Sequence, residues 1–568
     1  MPEITFSPKN AVLPEVTVLK EEAGLFLYRL SFSADAPVCG LEFFVHLPMK
    51  GIASAFHATS VRDPYVYQWF SSACQKSSFY EGAPFYTVCD KDRVLAAVAL
   101  SDAENDLSIR FSVDDFDEEE QVSFVIRLLT GDKAAASYSV DLRVDTRPLL
   151  LSESMKELAE WWETYYPVRA AIPAAAEEPL YSTWYNFHQH PNRDGLVPEL
   201  TLARELGFGS VILDDGWQFD GRGTGDYSRC GDWAFSAEKF PNGTDELLEI
   251  GLPLAVWFCV PFVGWETRAY QRFKDKLLYE YDRNRCAILD VRYAEAREFI
   301  IDNLLNFVKR YGVQGLKLDF IDSFKMMPES PAANEEMDVP DLSRAVVRLL
   351  TDLSERLETV CPGALIEFRQ NYIGPAITRF CNMLRVGDCA FDSNVNRRRL
   401  TDLRLLNYPL AVHSDMLYWA HDESVENIAR QLLSVMFAVP QLSVKLTEQS
   451  EEGLGAVRTF LSYWKANKAT LLHGDFFPHR QDMDYPMIEA SSSEKRICVL
   501  YTERPVAVSG RTDLFNATES ERLILDAADA FSVRVFDAVG RRVDAPEEIA
   551  KGLTAVAVPI GGRIEIEG

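Results

Sequence analysis

Three shortages bound what this chain can be. Basic residues are scarce: 58 Lys and Arg stand against 86 Asp and Glu in 568 residues, a formal charge of −28. Nucleic acid or an anionic membrane would be repelled over a Debye length, so neither is expected as a partner. Long apolar runs are missing, since nowhere do about 18 uncharged apolar residues run together to span a bilayer. The start, Met1-Pro2-Glu3-Ile4-Thr5-Phe6, lacks the basic and apolar regions of a secretory signal. A cytoplasmic location is the expectation, with export read only if a signal peptide had been removed. Cysteine is present without pattern: ten residues from Cys39 to Cys498 form no Cys-x-x-Cys pair and no dense scaffold, which fits reduced thiols. Walker loops, Gly-rich dinucleotide fingerprints and internal repeats are also missing, so a nucleotide-binding fold has no support.

What is there reads as an ordinary globular chain, 47% hydrophobic and 25% charged, long enough for several cores. Residues 1–148 carry short alternating runs such as Leu41-Glu-Phe-Phe-Val-His-Leu and Leu107-Ser-Ile-Arg-Phe-Ser-Val, parted by turns, and predict an N-terminal β-sandwich. An aromatic group here, Tyr65, Tyr67, Trp69, Phe70 and Tyr80, reads as packing or as a binding surface. Residues 149–179 read as a helix rich in Glu, Leu and Trp followed by an Ala/Pro connector. Residues 180–470 then alternate apolar strands with amphipathic helices, the pattern of a (β/α)8 TIM barrel. Its strand candidates are Tyr181 to Asn186, Ser210 to Asp215, Pro253 to Cys259, Gly315 to Asp319, Ala364 to Arg369, Met383 to Asp388, Leu410 to Asp415 and Gln441 to Leu446, with Ala287 to Val291 as a competitor. Short strands return in residues 471–568, which predict a small C-terminal β-sheet domain.

In a barrel of this kind function sits where strands end. Seven of the eight candidates end in polar, charged or aromatic groups: Trp184, Tyr185 and Asn186; Asp214 and Asp215; Trp257; Lys317 and Asp319; Glu367 and Arg369; Arg385 and Asp388; His413 and Asp415. Burying so many without a ligand would be costly. The combination suits a sugar, because indole faces stack on a pyranose while carboxylates, Arg and Lys hydrogen-bond its hydroxyls. Asp319 and Asp388 fall on strands four and six, whose equal parity lets them face each other across the mouth. Glycoside hydrolysis needs such a pair, about 5–5.5 Å apart when configuration is retained. Lys317, two residues before Asp319, shares its side of the strand and reads as its cationic neighbour. A hard cation held by Asp214, Asp215, Asp319 and Asp322 is the chemical competitor. Lys317 beside it and the lack of a His-x-His or Glu-x-x-His pattern weigh against it, so no metal is expected.

The segments Tyr181-Ser-Thr-Trp-Tyr-Asn, Val211-Ile-Leu-Asp-Asp-Gly-Trp-Gln, Gly231-Asp-Trp with Lys239-Phe-Pro-Asn-Gly, Gly315-Leu-Lys-Leu-Asp-Phe and Leu384-Arg-Val-Gly-Asp resemble the α-galactosidase clan of glycoside hydrolases, chiefly family 36. The resemblance runs from Tyr181 to Phe476. It implies Asp319 as nucleophile and Asp388 as general acid/base, with Asp214 and Asp215 on the O4 and O6 hydroxyls of a galactose-like ring. Lys317 would bind O3 or O4, Trp184 and Trp257 would form aromatic walls, and Arg385 would sit near O2; Arg369, from its place at a strand end, is read as a further substrate-binding residue. No cofactor is implied. The substrate would be an α-galactoside oligosaccharide or glycoside, and a homo-oligomer is compatible with the resemblance. Two departures stand out. Clan members often have one more residue than Arg385-Val-Gly-Asp388, or a tryptophan for the arginine, which leaves Asp392 as an alternative proton donor. Glu367-Phe-Arg-Gln-Asn also lacks the small residues common on strand five. A transglycosylase and a non-catalytic sugar-binding protein remain as rival readings, separable by product analysis.

Overall fold

The computed structural model describes residues 1–48, 51–57, 74–113, 121–131, 133–219, 225–389, 392–407 and 409–567. Of the aromatic group singled out above, Tyr65, Tyr67, Trp69 and Phe70 lie outside the described residues, and Tyr80 lies within them.

Two antiparallel sheets open the chain. One orders its strands as Glu3–Phe6, Leu41–Pro48, Gln121–Leu128, Leu107–Val113 and Gln75–Ser77; the other as Glu15–Glu22, Leu25–Val38, Ala135–Asp145, Arg93–Leu100, Phe85–Asp90 and Ser54–Phe56. Side chains along Leu41–Pro48 are buried and half-buried by turns, as the period of two requires. Phe43 and Val45 thereby meet Leu30, Val98 and Leu142 of the other sheet in one core. Helix α1, Leu151–Glu163, follows and buries Leu151, Met155, Leu158 and Trp162. The Trp162 indole donates to the Leu100 carbonyl at 2.9 Å and meets the Phe85 ring edge-on, which ties the sandwich to what comes next.

Eight parallel strands make a nearly closed barrel: β1 Leu180–Ser182, β2 Ser210–Leu213, β3 Leu254–Cys259, β4 Gly315–Asp319, β5 Leu365–Arg369, β6 Met383–Arg385, β7 Ala411–His413 and β8 Gln441–Leu442. Seven lie within their predicted segments, and β1 begins one residue ahead of its own, at Leu180. Strands β2, β3 and β4 are buried along their whole length, as strands covered on both faces must be. The last seam, β7 to β8, is held by a bridge between His413 and Val439, with Val439 N donating to the Val412 carbonyl at 3.0 Å. The competing run Ala287 to Val291 belongs elsewhere: Cys286–Leu289 sits in a separate antiparallel sheet with Phe262–Gly264 and Leu277–Tyr281, inserted between β3 and β4.

Helices α2 Arg193–Leu206, α3 Ala294–Tyr311, α4 Leu342–Val360, α5 Ser393–Leu406, α6 Val425–Ser434 and α7 Glu451–Ala466 accompany the strands. Asn192 caps α2 by accepting from Gly195 N, and Pro198 lies inside the helix, where it cannot donate the backbone hydrogen bond of that turn. Beyond α7, a seven-stranded and a three-stranded sheet enclose a separate core around Leu514, Leu525, Val535 and Ile564. No helix among the described residues is long and apolar enough to cross a membrane.

Candidate active site

Strand β4 delivers its polar residues by alternation. Leu316 and Leu318 join the hydrophobic core, while Lys317 and Asp319 line a cavity of about 410 Å³ at the C-terminal face of the barrel. Asp319 accepts three hydrogen bonds there. Arg369 Nε (2.5 Å) and Phe320 N (2.7 Å) reach its Oδ1, and Trp257 Nε1 (3.0 Å) reaches its Oδ2. Burial alone would push this carboxyl up, but the Arg369 and Lys317 cations outweigh it, and the Trp257 and Arg369 hydrogen bonds add to them. Asp319 is held well below the usual carboxylate range and is ionised. The cation that directly touches it is Arg369. The lysine expected in that place, Lys317, instead donates to Asp214 Oδ2 at 2.6 Å and acts on Asp319 only through space.

The end of β2 forms the second wall. Asp214 is buried between Lys317 and the amide of Asp215, which donates to Asp214 Oδ1 at 2.9 Å. Asp215 accepts from Gln189 Nε2 at 2.6 Å and Gln218 Nε2 at 2.8 Å. Burial raises its carboxyl to about 6, against those two hydrogen bonds and with help from Asp214. The turn behind it admits only glycine. Gly216 has φ +103°, and a Cβ there would lie 2.3 Å from the Gln189 backbone. Lys239 locks the same turn, its buried ammonium donating to the carbonyls of Gln189 (2.7 Å), Gly216 (2.6 Å) and Phe219 (3.2 Å).

Strand β6 supplies the third wall. The Arg385 guanidinium is buried and donates from Nη1 to Asp415 Oδ1 at 2.6 Å and Asp388 Oδ1 at 2.9 Å. Asp388 was expected at the strand end, but β6 stops at Arg385 and Asp388 stands on the loop beyond, its side chain 62% exposed at the cavity mouth. What burial it has would raise its carboxyl, yet Arg385, with Lys317, holds it below the usual range. Asp392 does not line the cavity. It caps α5, accepting from Val395 N at 2.9 Å, which engages its carboxylate as a helix cap. Trp184 and Trp257 both face the cavity. Trp184 does so from a single helical turn, Trp184–Phe187, not from the strand. Beneath this floor Glu367, His413 and Gln441 form a buried layer: Gln441 Nε2 donates to Glu367 Oε2 at 2.6 Å, and burial lowers His413 to about 4, leaving it neutral. Those two strand-end groups support the site without lining it.

The cavity therefore gathers Asp319, Asp388, Asp214, Asp215, Lys317, Arg369, Arg385, Trp184 and Trp257, and leaves out Asp392. It adds Tyr227, Gln370, Asn371 and Arg399, and behind them Gln189, Gln218 and Lys239, none of which had been given a role. For Lys239 the only signal was its place in the segment Lys239-Phe-Pro-Asn-Gly. Tyr227, which stacks near Trp257 at 6.1 Å, had none.

A parallel eight-stranded barrel with paired carboxylates, indole walls and a cavity of sugar size defines the class of the glycoside hydrolase barrels. Comparison with known proteins narrows the class. Residues 154–371 match the Melibiase family model. Alpha-galactosidase Mel36A of Lactobacillus acidophilus is 27% identical over 197 residues, 33% of this chain and 26% of that protein. Alpha-galactosidase AgaA of Geobacillus stearothermophilus is 27% identical over 229 residues, 37% of this chain and 31% of that one. The chain thus spans between about a quarter and a third of the length of these curated relatives. A solved family 36 α-galactosidase AgaA of Geobacillus stearothermophilus, in complex with raffinose, superposes with a TM-score of 0.66 at 15% identity, covering 100% of this chain and 86% of the other. The chain is thus similar to the α-galactosidases in sequence over part of its length and to their family 36 structures in fold.

Proposed function

We propose that the chain is a retaining glycoside hydrolase that releases terminal α-linked galactose, or a closely related sugar, by double displacement. The observation that carries this reading is Asp319: a buried carboxylate kept ionised by Arg369 and Lys317, hydrogen-bonded by Trp257, in one cavity with a second carboxyl, Asp388, at the mouth. Asp319 attacks the anomeric carbon while Asp388 protonates the glycosidic oxygen. Asp388 then activates the water that frees the sugar. Asp214 and Asp215 accept from the O4 and O6 hydroxyls, Lys317 donates to O3 or O4, Arg385 and Arg369 stand on the O2 side, and Trp184 and Trp257 wall the ring. Family 36 structures of Geobacillus stearothermophilus AgaA hold raffinose and stachyose, so an oligosaccharide substrate is part of this proposal.

One tension follows from the geometry. A proton donor needs a raised carboxyl, and in the free protein Arg385 holds Asp388 low. Substrate must supply the difference. A leaving group seated over the mouth removes the water that bathes the 62%-exposed side chain and strengthens the penalty on its charge. A panel of aryl α-glycosides with product analysis tests the proposal: release of galactose from the α-galactoside, retained as the α-anomer, supports it. Turnover only of glycosides unrelated to galactose, or release of the β-anomer first, overturns it.

A further inference from the structure

A second cavity, about 740 Å³, opens between the sandwich and the barrel beside the candidate active site. The two cavities share Asn371, and an ion pair joins their linings: Arg369 lines the first, Asp322 the second, and Arg369 Nη2 lies 3.3 Å from Asp322 Oδ1. The sandwich contributes Ser78, Tyr80, Glu81 and Asp106 to the lining and is fastened beside it. Gly82 N donates to the Asn371 carbonyl at 3.3 Å, and the Lys133 ammonium reaches Asp341 at 3.2 Å and Ser343 at 3.1 Å at the start of α4. The space is therefore built, with a wall that shares a residue with the site of bond cleavage.

Its lining indicates what it holds. Tyr80 offers a half-buried ring, Met326 and Met327 offer thioethers, and Lys325, Glu81 and Asp106 stand around them. Charges of both signs, interleaved with a ring and two flexible apolar side chains, match a neutral chain of hydroxyls with apolar ring faces, and an ion of either sign would meet its like. Its volume is in the range of sites that enclose a ligand of drug size.

We infer that this cavity binds the leaving group of an oligosaccharide substrate, two or more sugar units beyond the scissile bond, with Tyr80 as the stacking platform and the Lys325–Met327 loop as the opposite jaw. The inference rests on the glycosidase reading above and extends it to substrate length: chains that reach the sandwich are preferred over short aryl glycosides.

The test measures kcat/KM of the whole chain on an aryl α-galactoside and on an α-galactosyl tetrasaccharide. The variants are Tyr80→Ala and, on the exposed loop where folding is not at stake, Lys325→Ala and Met326→Ala. About a tenfold fall on the tetrasaccharide with the aryl substrate within about twofold is the expected result. Equal falls on both substrates, or no fall on either, overturns it. If the unaltered chain turns over neither substrate, the hydrolase reading fails by itself. Calorimetric titration with the tetrasaccharide then decides the cavity: weaker binding by Tyr80→Ala supports it, and unchanged or undetectable binding overturns it.

Discussion

Two aspartates in the same cavity behave in opposite ways because their neighbours differ. Asp319 faces two cations and an indole N–H and is held low; Asp215 faces only neutral amides and a like charge, and burial lifts it to about 6. Replacing Asp319 by Asn removes the nucleophile while keeping its size, so turnover should fall on the order of 10³-fold or more, with the protein still folded but melting lower near neutral pH because Arg369 and Lys317 lose their counter-charge. Measuring both on one preparation checks this. Asp388→Asn should cost about 10²- to 10⁴-fold on a saccharide and far less on an activated aryl glycoside, whose leaving group needs no proton. Equal losses on both would refute the donor role. For Asp215, a charge-assisted hydrogen bond to a sugar hydroxyl requires the ionised form. KM should therefore rise as pH falls through about 6, and Asp215→Asn should show a high KM without that dependence. The stability signs are also opposed. A carboxyl held low, as in Asp319, stabilises above its unfolded value and loses that contribution as pH falls. A carboxyl held high, as in Asp215, lowers stability as pH rises between about 4 and 6.

At the scale of elements, the site depends on what happens just past each strand. The turn after β2 places Asp214 and Asp215, and it rests on Gly216 at positive φ and on three carbonyls gathered by Lys239. Gly216→Ala forces a Cβ against the Gln189 backbone in a conformation L residues avoid, at a cost of roughly 2–4 kcal/mol. Since Gln189 also holds Asp215, kcat/KM should fall along with the melting temperature; unchanged activity in a folded variant would show that the turn does not position the carboxylates. The strands themselves were legible in the sequence, because continuous apolar runs bounded by polar ends allow few other readings. Their exact ends were not. Trp184 stands on a helical turn and Asp388 on a loop, since Thr183 leaves extended geometry and β6 has only three residues. Both depend on neighbours distant in sequence.

For the molecule as a whole, the hydrophobic core disregards the boundary that composition suggests. Phe56, Phe79 and Phe85 of the sandwich, the buried face of α1 and the barrel's strands and helices belong to one continuous cluster. Such sharing predicts joint unfolding. Residues 149–568 expressed alone should be poorly folded, and the full chain should lose the sandwich and the barrel in one calorimetric transition. A stable, cooperatively melting fragment would count against that coupling. The acidic surface that excluded polyanions places no such bar on a neutral saccharide, the ligand class proposed for both cavities.

The sequence alone determined the order of the parts, the eight strands of the barrel and most of the candidate site, because period-two and period-3.6 patterns and polar residues at strand ends are local properties of the chain. Its placing of Asp319 on the fourth strand holds, while Asp388, read on the sixth, stands on the loop beyond it. Partner choice was beyond its reach. That Lys317 bonds Asp214 while Arg369 holds Asp319, that Asp392 caps a helix while Asp388 reaches the cavity, and that Tyr80 of the sandwich faces a loop of the barrel were decided only in the tertiary structure. Hydrogen bonds and ion pairs act over about 3 Å, and only the closed fold brings such distant residues that near.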